Sequence, residues 1–196
     1  MRLRNVLSAG FLALASFLAT DHSYGQANYQ FDTEERLTGG TPRRYLGISL
    51  IPRSTVNFTG KYRPGDIVIN TKERRLYLVL TDGEARRYGI GVGRAGFQWA
   101  GVHKVTAKKE NPDWTPPPQM RARQKGLPAF IKGGDENNPL GVRAMYLGST
   151  LYRIHGSNDP ESIGEAESSG CFRMTNDDVK DLYDRVPIGT TVHVLR

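Results

Sequence analysis

Short apolar runs separated by turn residues dominate the chain from residue 63 onwards. Runs of this length, rich in β-branched and large apolar side chains, are typical of strands. We expect strands at Ile67–Ile69, Leu76–Leu80, Ala85–Val92, Gly101–Ala107, Arg143–Leu147, Leu151–His155 and Thr191–Leu195. Asp82-Gly83 and Gly148-Ser149-Thr150 predict hairpin turns, because these residues accept the backbone angles of tight turns.

Helical periodicity is clear in a single segment near the end of the chain. Four apolar residues follow the spacing i, i+3, i+4 and i+7, namely Val179, Leu182, Tyr183 and Val186. This spacing predicts a helix over Asn176–Arg185, with Thr175 as its N-cap and Pro187 beyond its end. The elements together predict a mostly β domain, a sandwich or open barrel with one short helix.

A long irregular stretch, Glu110–Leu140, interrupts the strands and contains several prolines and the pair Gly133-Gly134. Loops of this length in compact domains often have a function, and we interpret this one as a lid that covers a binding site. A purely structural surface loop is the alternative.

The first 27 residues have the pattern of a secretory signal peptide. Arg2 and Arg4 precede the apolar run Val6–Ala19, and the small residues Gly25 and Ala27 mark two candidate cleavage positions. The run is too short to span a bilayer comfortably, so we expect no stable membrane span after cleavage, with uncleaved anchoring as the alternative. The protein is therefore expected to be exported.

Residues 28–62 are polar, with weak periodicity. They are expected to form a linker or N-terminal extension that contains a strand near Tyr45–Ile51. The turn signal Arg63-Pro64-Gly65-Asp66 then opens the folded domain, which we place at residues 63–196.

The formal net charge of +7 indicates an acidic partner or simply a charge that favours solubility. An exported protein has little access to nucleic acid, and no basic and aromatic nucleic-acid motif is present. An anionic cell-wall polymer or membrane surface is the partner that fits this compartment.

The chain has one cysteine, Cys171, which excludes an intramolecular disulfide and a cluster of several thiolates around a metal. A thiol attacks as its thiolate, and a nearby imidazole can take its proton, which makes His155 the candidate base. Ser168, Ser169 and Gly170 are poor neighbours for a buried apolar side chain. The pattern favours a catalytic cysteine over an inert buried one.

The remaining histidines give no reason to expect a metal site. His103 and His193 lie within strand patterns and are interpreted as ordinary sheet residues. A zinc site built from Cys171, His155 and a carboxylate is conceivable, but the sequence lacks a close pair of ligands. We expect neither a metal nor another cofactor.

The segment around the two candidate residues resembles the signature of the L,D-transpeptidase catalytic domain family, which is YkuD-like and includes the ErfK/YbiS/YcfS/YnhG group. The matching motifs are His155-Gly156-Ser157-Asn158, Ile163-Gly164 and Ser168-Ser169-Gly170-Cys171-Phe172-Arg173-Met174. The resemblance extends over about residues 63–196 and implies a YkuD-like β-sandwich whose helix follows the catalytic cysteine. The family commonly has a second histidine where Ser169 stands, which leaves His155 as the expected base.

The resemblance implies a cysteine acyltransferase that acts on peptidoglycan stem peptides. Cys171 attacks the carbonyl of the third stem residue, forms a thioester and releases the terminal D-Ala. His155 accepts the thiol proton while the carbonyl of Gly156 orients its ring. The oxyanion hole is expected from the backbone N–H groups of Ser169, Gly170 and Cys171.

Substrate contacts are expected from four side chains, Arg173, Ser168, Tyr146 and Trp114. Arg173 offers a planar donor pair that suits a stem carboxylate or braces the loop. For Trp114 and Tyr146, ordinary packing is an equal alternative.

The expected function is therefore that of a periplasmic L,D-transpeptidase, with the acyl acceptor left open. An amine of a second stem gives a 3→3 cross-link, a protein amine attaches an outer-membrane protein to the wall, and water gives a carboxypeptidase or amidase. A non-catalytic wall-binding module is a further alternative, although such a module requires neither Cys171 nor His155.

Overall fold

The computed structural model describes residues 51–196, and the strands in this range form one sheet of nine strands and one separate pair. In chain order they are β1 (Ser54–Asn57), β2 (Ile67–Asn70), β3 (Arg75–Val79), β4 (Glu84–Gly89), β5 (Val92–Gly93), β6 (Gly101–Glu110), β7 (Arg143–Leu147), β8 (Arg153–His155), β9 (Ala166–Ser168), β10 (Phe172–Arg173) and β11 (Thr191–Leu195). The same range contains helices α1 (Pro118–Arg123) and α2 (Asn176–Arg185), and a 3-10 turn at Pro160–Ser162. This architecture confirms the predicted mostly β fold.

The large sheet has the strand order β1-β4-β3-β2-β11-β6-β7-β8-β10, and β5 pairs with β9. Most neighbours are antiparallel, but β11 runs parallel to β2, and β10 runs parallel to β8. The last strand of the chain therefore lies in the middle of the sheet, and the short strands β8 and β10 form one edge.

The hydrophobic core lies between the sheet and α2. Val179, Leu182 and Val186 of the helix region are buried together with apolar side chains of the central strands. Thr175 caps the helix, since its side chain accepts a hydrogen bond from the backbone N–H of Asp178 at 3.2 Å. The predicted helix and its cap are confirmed.

The first predicted hairpin turn has the backbone angles that its residues suggested. Asp82 and Gly83 both have positive φ, 58° and 73°, as the two central residues of a type I′ turn require. They join β3 and β4, which pair antiparallel.

The sheet begins earlier than the domain boundary expected at residue 63. β1 lies within the segment expected as a linker, yet it pairs antiparallel with β4, with Thr55 opposite Arg86. Its four residues are alternately half-buried and exposed, which gave only a weak strand pattern. The signal peptide and most of the strand expected near Tyr45–Ile51 lie outside the described residues.

Two further elements differ from expectation. β4 ends at Gly89 instead of continuing to Val92, and the chain passes Gly91, where a Cβ atom would lie 2.6 Å from the carbonyl oxygen of Ser162. Helix α1 lies in the stretch expected to be irregular and buries none of its side chains, so it lacks the periodicity that would have predicted it. Neither helix within residues 51–196 has the length and apolar character needed to cross a bilayer.

Candidate active site

The register between β8 and β10 brings the predicted nucleophile and base to one face of the sheet. Phe172 pairs with Ile154, and Arg173 pairs with His155. Because successive side chains alternate between faces, Ile154 and Phe172 face the core while His155 and Arg173 face away from it. Cys171 directly precedes β10 and falls on the same face as His155.

Both residues line a cavity of about 590 Å³ at this edge of the sheet. Arg153 and Arg173 line it as well, so the outward face of β8 and β10 forms its floor. The structure thus brings together Cys171, His155 and Arg173, which the sequence predicted, and adds Arg153, which it did not.

The ring of His155 is buried and held in one tautomer. Its Nδ1 lies 2.5 Å from the carbonyl oxygen of Gly156, and a carbonyl can only accept, so Nδ1 carries the proton and Nε2 is left as an acceptor. The pKa of His155 is lowered to about 4, chiefly by burial; the hydrogen bond to the Gly156 carbonyl opposes this shift, and the charges of Arg173 and Arg153 add to it. The imidazole is therefore neutral at pH 7 and able to take a proton.

Cys171 is partly buried and is protonated in the resting site. Burial raises the pKa of its thiol, while Arg153 and Arg173 oppose the rise. The thiol donates a long hydrogen bond, 3.8 Å, to the carbonyl oxygen of Leu151, and no hydrogen bond joins it to His155 in the described part of the chain. The resting pair is a neutral thiol beside a neutral imidazole, and proton transfer requires the thiol to turn towards Nε2.

Ser168 holds the turn that carries Cys171. Its buried hydroxyl donates to the carbonyl oxygen of Cys171 at 2.6 Å and accepts the backbone N–H of Gly170 at 3.1 Å. Two expectations change as a result. Ser168 lines the cavity, but its hydroxyl is engaged in the turn, and the N–H of Gly170 points to Ser168 and not to an oxyanion.

Only glycine fits at position 170 of this turn. Its φ is +108°, and a Cβ atom there would lie 2.5 Å from Cε1 of Tyr152. The indole N–H of Trp99 donates to the Gly170 carbonyl oxygen at 2.8 Å, and the Trp99 ring stacks on Tyr152 with centroids 4.5 Å apart. Trp99 and Tyr152 therefore hold the turn in addition to Ser168.

Residues of the long stretch between β6 and β7 wall the rest of the cavity. Trp114, Met120, Arg123 and Leu140 are among the lining residues, and Arg123 reaches the hydroxyl of Ser169 at 3.4 Å. The stretch contributes lining residues to the cavity, Trp114 among them, while the lid role and the contact of Trp114 with a substrate stay predictions. Ser169, in the position that commonly holds histidine, contacts this stretch.

Tyr146 does not line the cavity, in contrast to the expectation of a substrate contact. Its ring lies under the guanidinium of Arg153, with 5.2 Å from Cζ to the ring centroid. The sequence predicted that the Tyr146 ring lies near the site but did not indicate Arg153 as its partner, because only the sheet register brings Tyr146 and Arg153 together. Tyr146 supports Arg153 from behind.

Three arginines line the cavity, Arg123 from α1, Arg153 from β8 and Arg173 from β10, while none of its lining residues within 51–196 is an Asp or Glu. The same described range contains no group of three or more His, Cys, Asp or Glu side chains placed to hold a metal ion. The site thus combines a thiol, a neutral imidazole and concentrated positive charge.

The architecture is shared with solved L,D-transpeptidases. An L,D-transpeptidase from Mycobacterium smegmatis superposes with a TM-score of 0.53, covering 66% of this chain and 58% of that chain at 18% identity, which shows a common fold. A crystal structure from Brucella melitensis, described as a probable carnitine operon oxidoreductase, is 47% identical and covers 76% of this chain and 96% of that chain, with a TM-score of 0.51. That description applies to the Brucella protein.

The family model of the L,D-transpeptidase catalytic domain, YkuD, matches residues 64–194, so the chain belongs to this family. The probable L,D-transpeptidase ErfK/SrfK of Escherichia coli (strain K12) is 43% identical over 138 residues, which are 66% of this chain and 43% of that protein. The chain thus spans less than half the length of this curated relative.

Proposed function

We propose that this protein is an exported peptidoglycan L,D-transpeptidase in which Cys171 is the acylated nucleophile and His155 the general base. Membership of the L,D-transpeptidase family supports the reaction class. The single observation that carries the residue assignment is the register of β8 against β10, which puts Cys171 and His155 on one face of the sheet and beside one cavity. The signal-peptide pattern of residues 1–27 supports a periplasmic location.

Acylation follows from the protonation states of the site. Nε2 of His155 takes the thiol proton as Sγ forms a bond to the carbonyl carbon of the third stem residue. The backbone N–H groups of Ser169 and Cys171 are the proposed donors to the oxyanion, because that of Gly170 is engaged by Ser168. The tetrahedral intermediate collapses to a thioester when the leaving amine of D-Ala takes the proton from His155.

Transfer reverses the proton movements. The amine of a second stem attacks the thioester carbon, Nε2 of His155 accepts a proton from that amine, and the proton returns to sulfur as the C–S bond breaks. The product is a 3→3 cross-link and a regenerated neutral thiol. The ring keeps its orientation throughout, because Gly156 holds Nδ1.

The test is mass spectrometry of muropeptides from cells that express either the wild-type protein or Cys171→Ala, in a host with few 3→3 cross-links of its own. Wild-type cells are expected to gain these cross-links, and the variant cells are not. Equal levels in the two strains would reject the proposal. Loss of D-Ala without new cross-links, dependent on Cys171, would assign a hydrolytic activity instead.

A further inference from the structure

The candidate site has an excess of positive charge that the thiol chemistry does not require. Arg123, Arg153 and Arg173 line the cavity, and no carboxylate among its described lining residues balances them. A concave site lined with charge of one sign concentrates ligands of the opposite sign. The cavity is therefore suited to a substrate that carries carboxylates.

Of the three arginines, Arg153 is the one that the sheet register places opposite Cys171. Extending the β8–β10 register by one residue from the Ile154–Phe172 pair puts Arg153 opposite Cys171, one strand spacing away. Arg173 lies opposite His155, two residues further along the strand, and Arg123 belongs to α1. A guanidinium beside Cys171 faces the part of a substrate nearest to the scissile bond.

The side chain of Arg153 is held in place but not neutralised. Its guanidinium lies over the ring of Tyr146, and its side chain interacts with Cys171 through charge and a hydrogen bond. Its buried Nε has no hydrogen-bond partner within residues 51–196. Arg87 and Arg143 also have a buried Nε without a partner in this range, but neither lines the cavity. Arg153 differs because it lines the cavity and no carboxylate pairs with it there, so a bound carboxylate would supply that partner.

We propose that Arg153 is a specificity residue that binds the carboxylate of the leaving residue of the acyl donor. This inference rests on the proposed function. The carboxylate of the leaving residue is separated from the attacked carbonyl by a single residue, which is the distance at which a side chain opposite Cys171 can reach it. A planar guanidinium pairs with a carboxylate through two parallel hydrogen bonds, which a carboxamide cannot reproduce.

The test compares two tetrapeptide donors that differ only at the last residue, one with a free carboxylate and one with a carboxamide. Release of the leaving residue and thioester formation on the protein are followed by mass spectrometry. The proteins are the wild type, Arg153→Gln, Arg153→Lys and the control Arg87→Gln. Arg87 is a matched control because its Nε is also buried without a partner in the described range, but it lies on β4 away from the cavity.

Wild type is expected to prefer the free carboxylate by about 10- to 100-fold in kcat/KM, because this is the size of effect that charge-assisted hydrogen bonds produce. Arg153→Gln removes this preference by slowing the carboxylate donor more than the carboxamide donor, Arg153→Lys keeps part of it, and Arg87→Gln keeps all of it. Because Arg153 opposes the rise in the Cys171 pKa, Arg153→Gln is expected to slow alkylation of Cys171 by iodoacetamide, a small neutral reagent. The size of this slowing measures the effect of the substitution on the thiol alone.

Equal slowing of both donors by Arg153→Gln, by the factor seen with iodoacetamide, would overturn the inference in favour of a structural role or an effect on the thiol. A wild-type enzyme that is acylated equally by both donors would also overturn it and leave the proposed function intact, whichever variants fold. A wild-type enzyme that is acylated by neither donor would reject the proposed function, and the inference with it.

Discussion

His155 and Gly156 are joined by a hydrogen bond of 2.5 Å from the imidazole Nδ1 to the backbone carbonyl oxygen. The contact joins two neighbours in sequence at the end of β8, so no distant side chain is needed to orient the ring. It leaves Nε2 unprotonated and facing the cavity that Cys171 lines. In the proposed mechanism, the base is therefore neutral and oriented before a substrate binds.

The first prediction concerns the pH dependence of acylation. The pKa of His155 is lowered to about 4, so the neutral, active form of the ring persists well below pH 6.5, the ordinary value for histidine. kcat/KM for acylation should stay nearly constant from pH 7 down to about 5 and fall as the pH passes through about 4. The measurement is the pH profile of thioester formation, with folding monitored at each pH by circular dichroism.

A matched control for this profile is His193→Gln, since His193 lies on β11 and contacts Asp66, away from the cavity. Its profile should coincide with that of the wild type. An acid limb centred near pH 6.5 in the wild type would show that the ring is not in the buried, neutral state described above.

The second prediction concerns the turn before Cys171. Gly170→Ala should cost both stability and activity, because the added Cβ meets the Tyr152 ring at 2.5 Å in a backbone with φ of +108°. We expect a loss of at least about 2 kcal/mol in the free energy of unfolding and at least about 10-fold in acylation rate. Urea unfolding and thioester formation measure the two effects.

Gly189→Ala is the control for backbone strain alone. Gly189 has a similar φ of +96°, but no atom lies within 4 Å of the position of an added Cβ. It should lose about 1 kcal/mol of stability and keep its activity. Equal effects of the two substitutions would mean that the contact with Tyr152 does not shape the site.

The third prediction separates Ser168 from a substrate-binding role. Ser168→Ala removes two hydrogen bonds within the turn, to the carbonyl of Cys171 and from the N–H of Gly170. It should lower the stability by about 1 to 3 kcal/mol and lower kcat for the free-carboxylate and carboxamide donors by the same factor. The measurement is steady-state kinetics with both donors together with urea unfolding.

Ser157→Ala is the control for the loss of a buried serine hydroxyl that makes hydrogen bonds within a turn. The Ser157 hydroxyl donates to the Asp159 carbonyl oxygen and accepts the Asp159 N–H, both at 3.0 Å, and the residue does not line the cavity. It should lose similar stability with little change in kcat. A large increase in KM for Ser168→Ala, at unchanged kcat, would instead favour a direct substrate contact.

Much of the fold could be predicted from local patterns. β7, β11 and α2 have the predicted bounds, because each has a strong apolar period and clear turn or capping residues at its ends. β9 and β10 have only three and two residues, and their strand conformation depends on partners distant in the chain, β5 and β8. No local pattern indicates such pairing.

The site divides in the same way. Cys171 and His155 could be found because a lone thiol and a histidine within a recognisable motif are rare and chemically distinctive. Arg153 could not, because its place beside the sulfur follows from the parallel register of β8 and β10. The engagement of Ser168 was equally hidden, since a turn sequence does not reveal which of its groups are already paired.

Capture of the acyl group of a wall peptide by Cys171 is tested by the intact mass of the purified protein after brief incubation with a tetrapeptide that ends in a free carboxylate. We expect an added mass equal to the tripeptide acyl group, mapped by peptide digestion to Cys171 and absent from Cys171→Ala. A wild-type protein that stays unmodified while the peptide is consumed, or an adduct that persists in the variant, would contradict it.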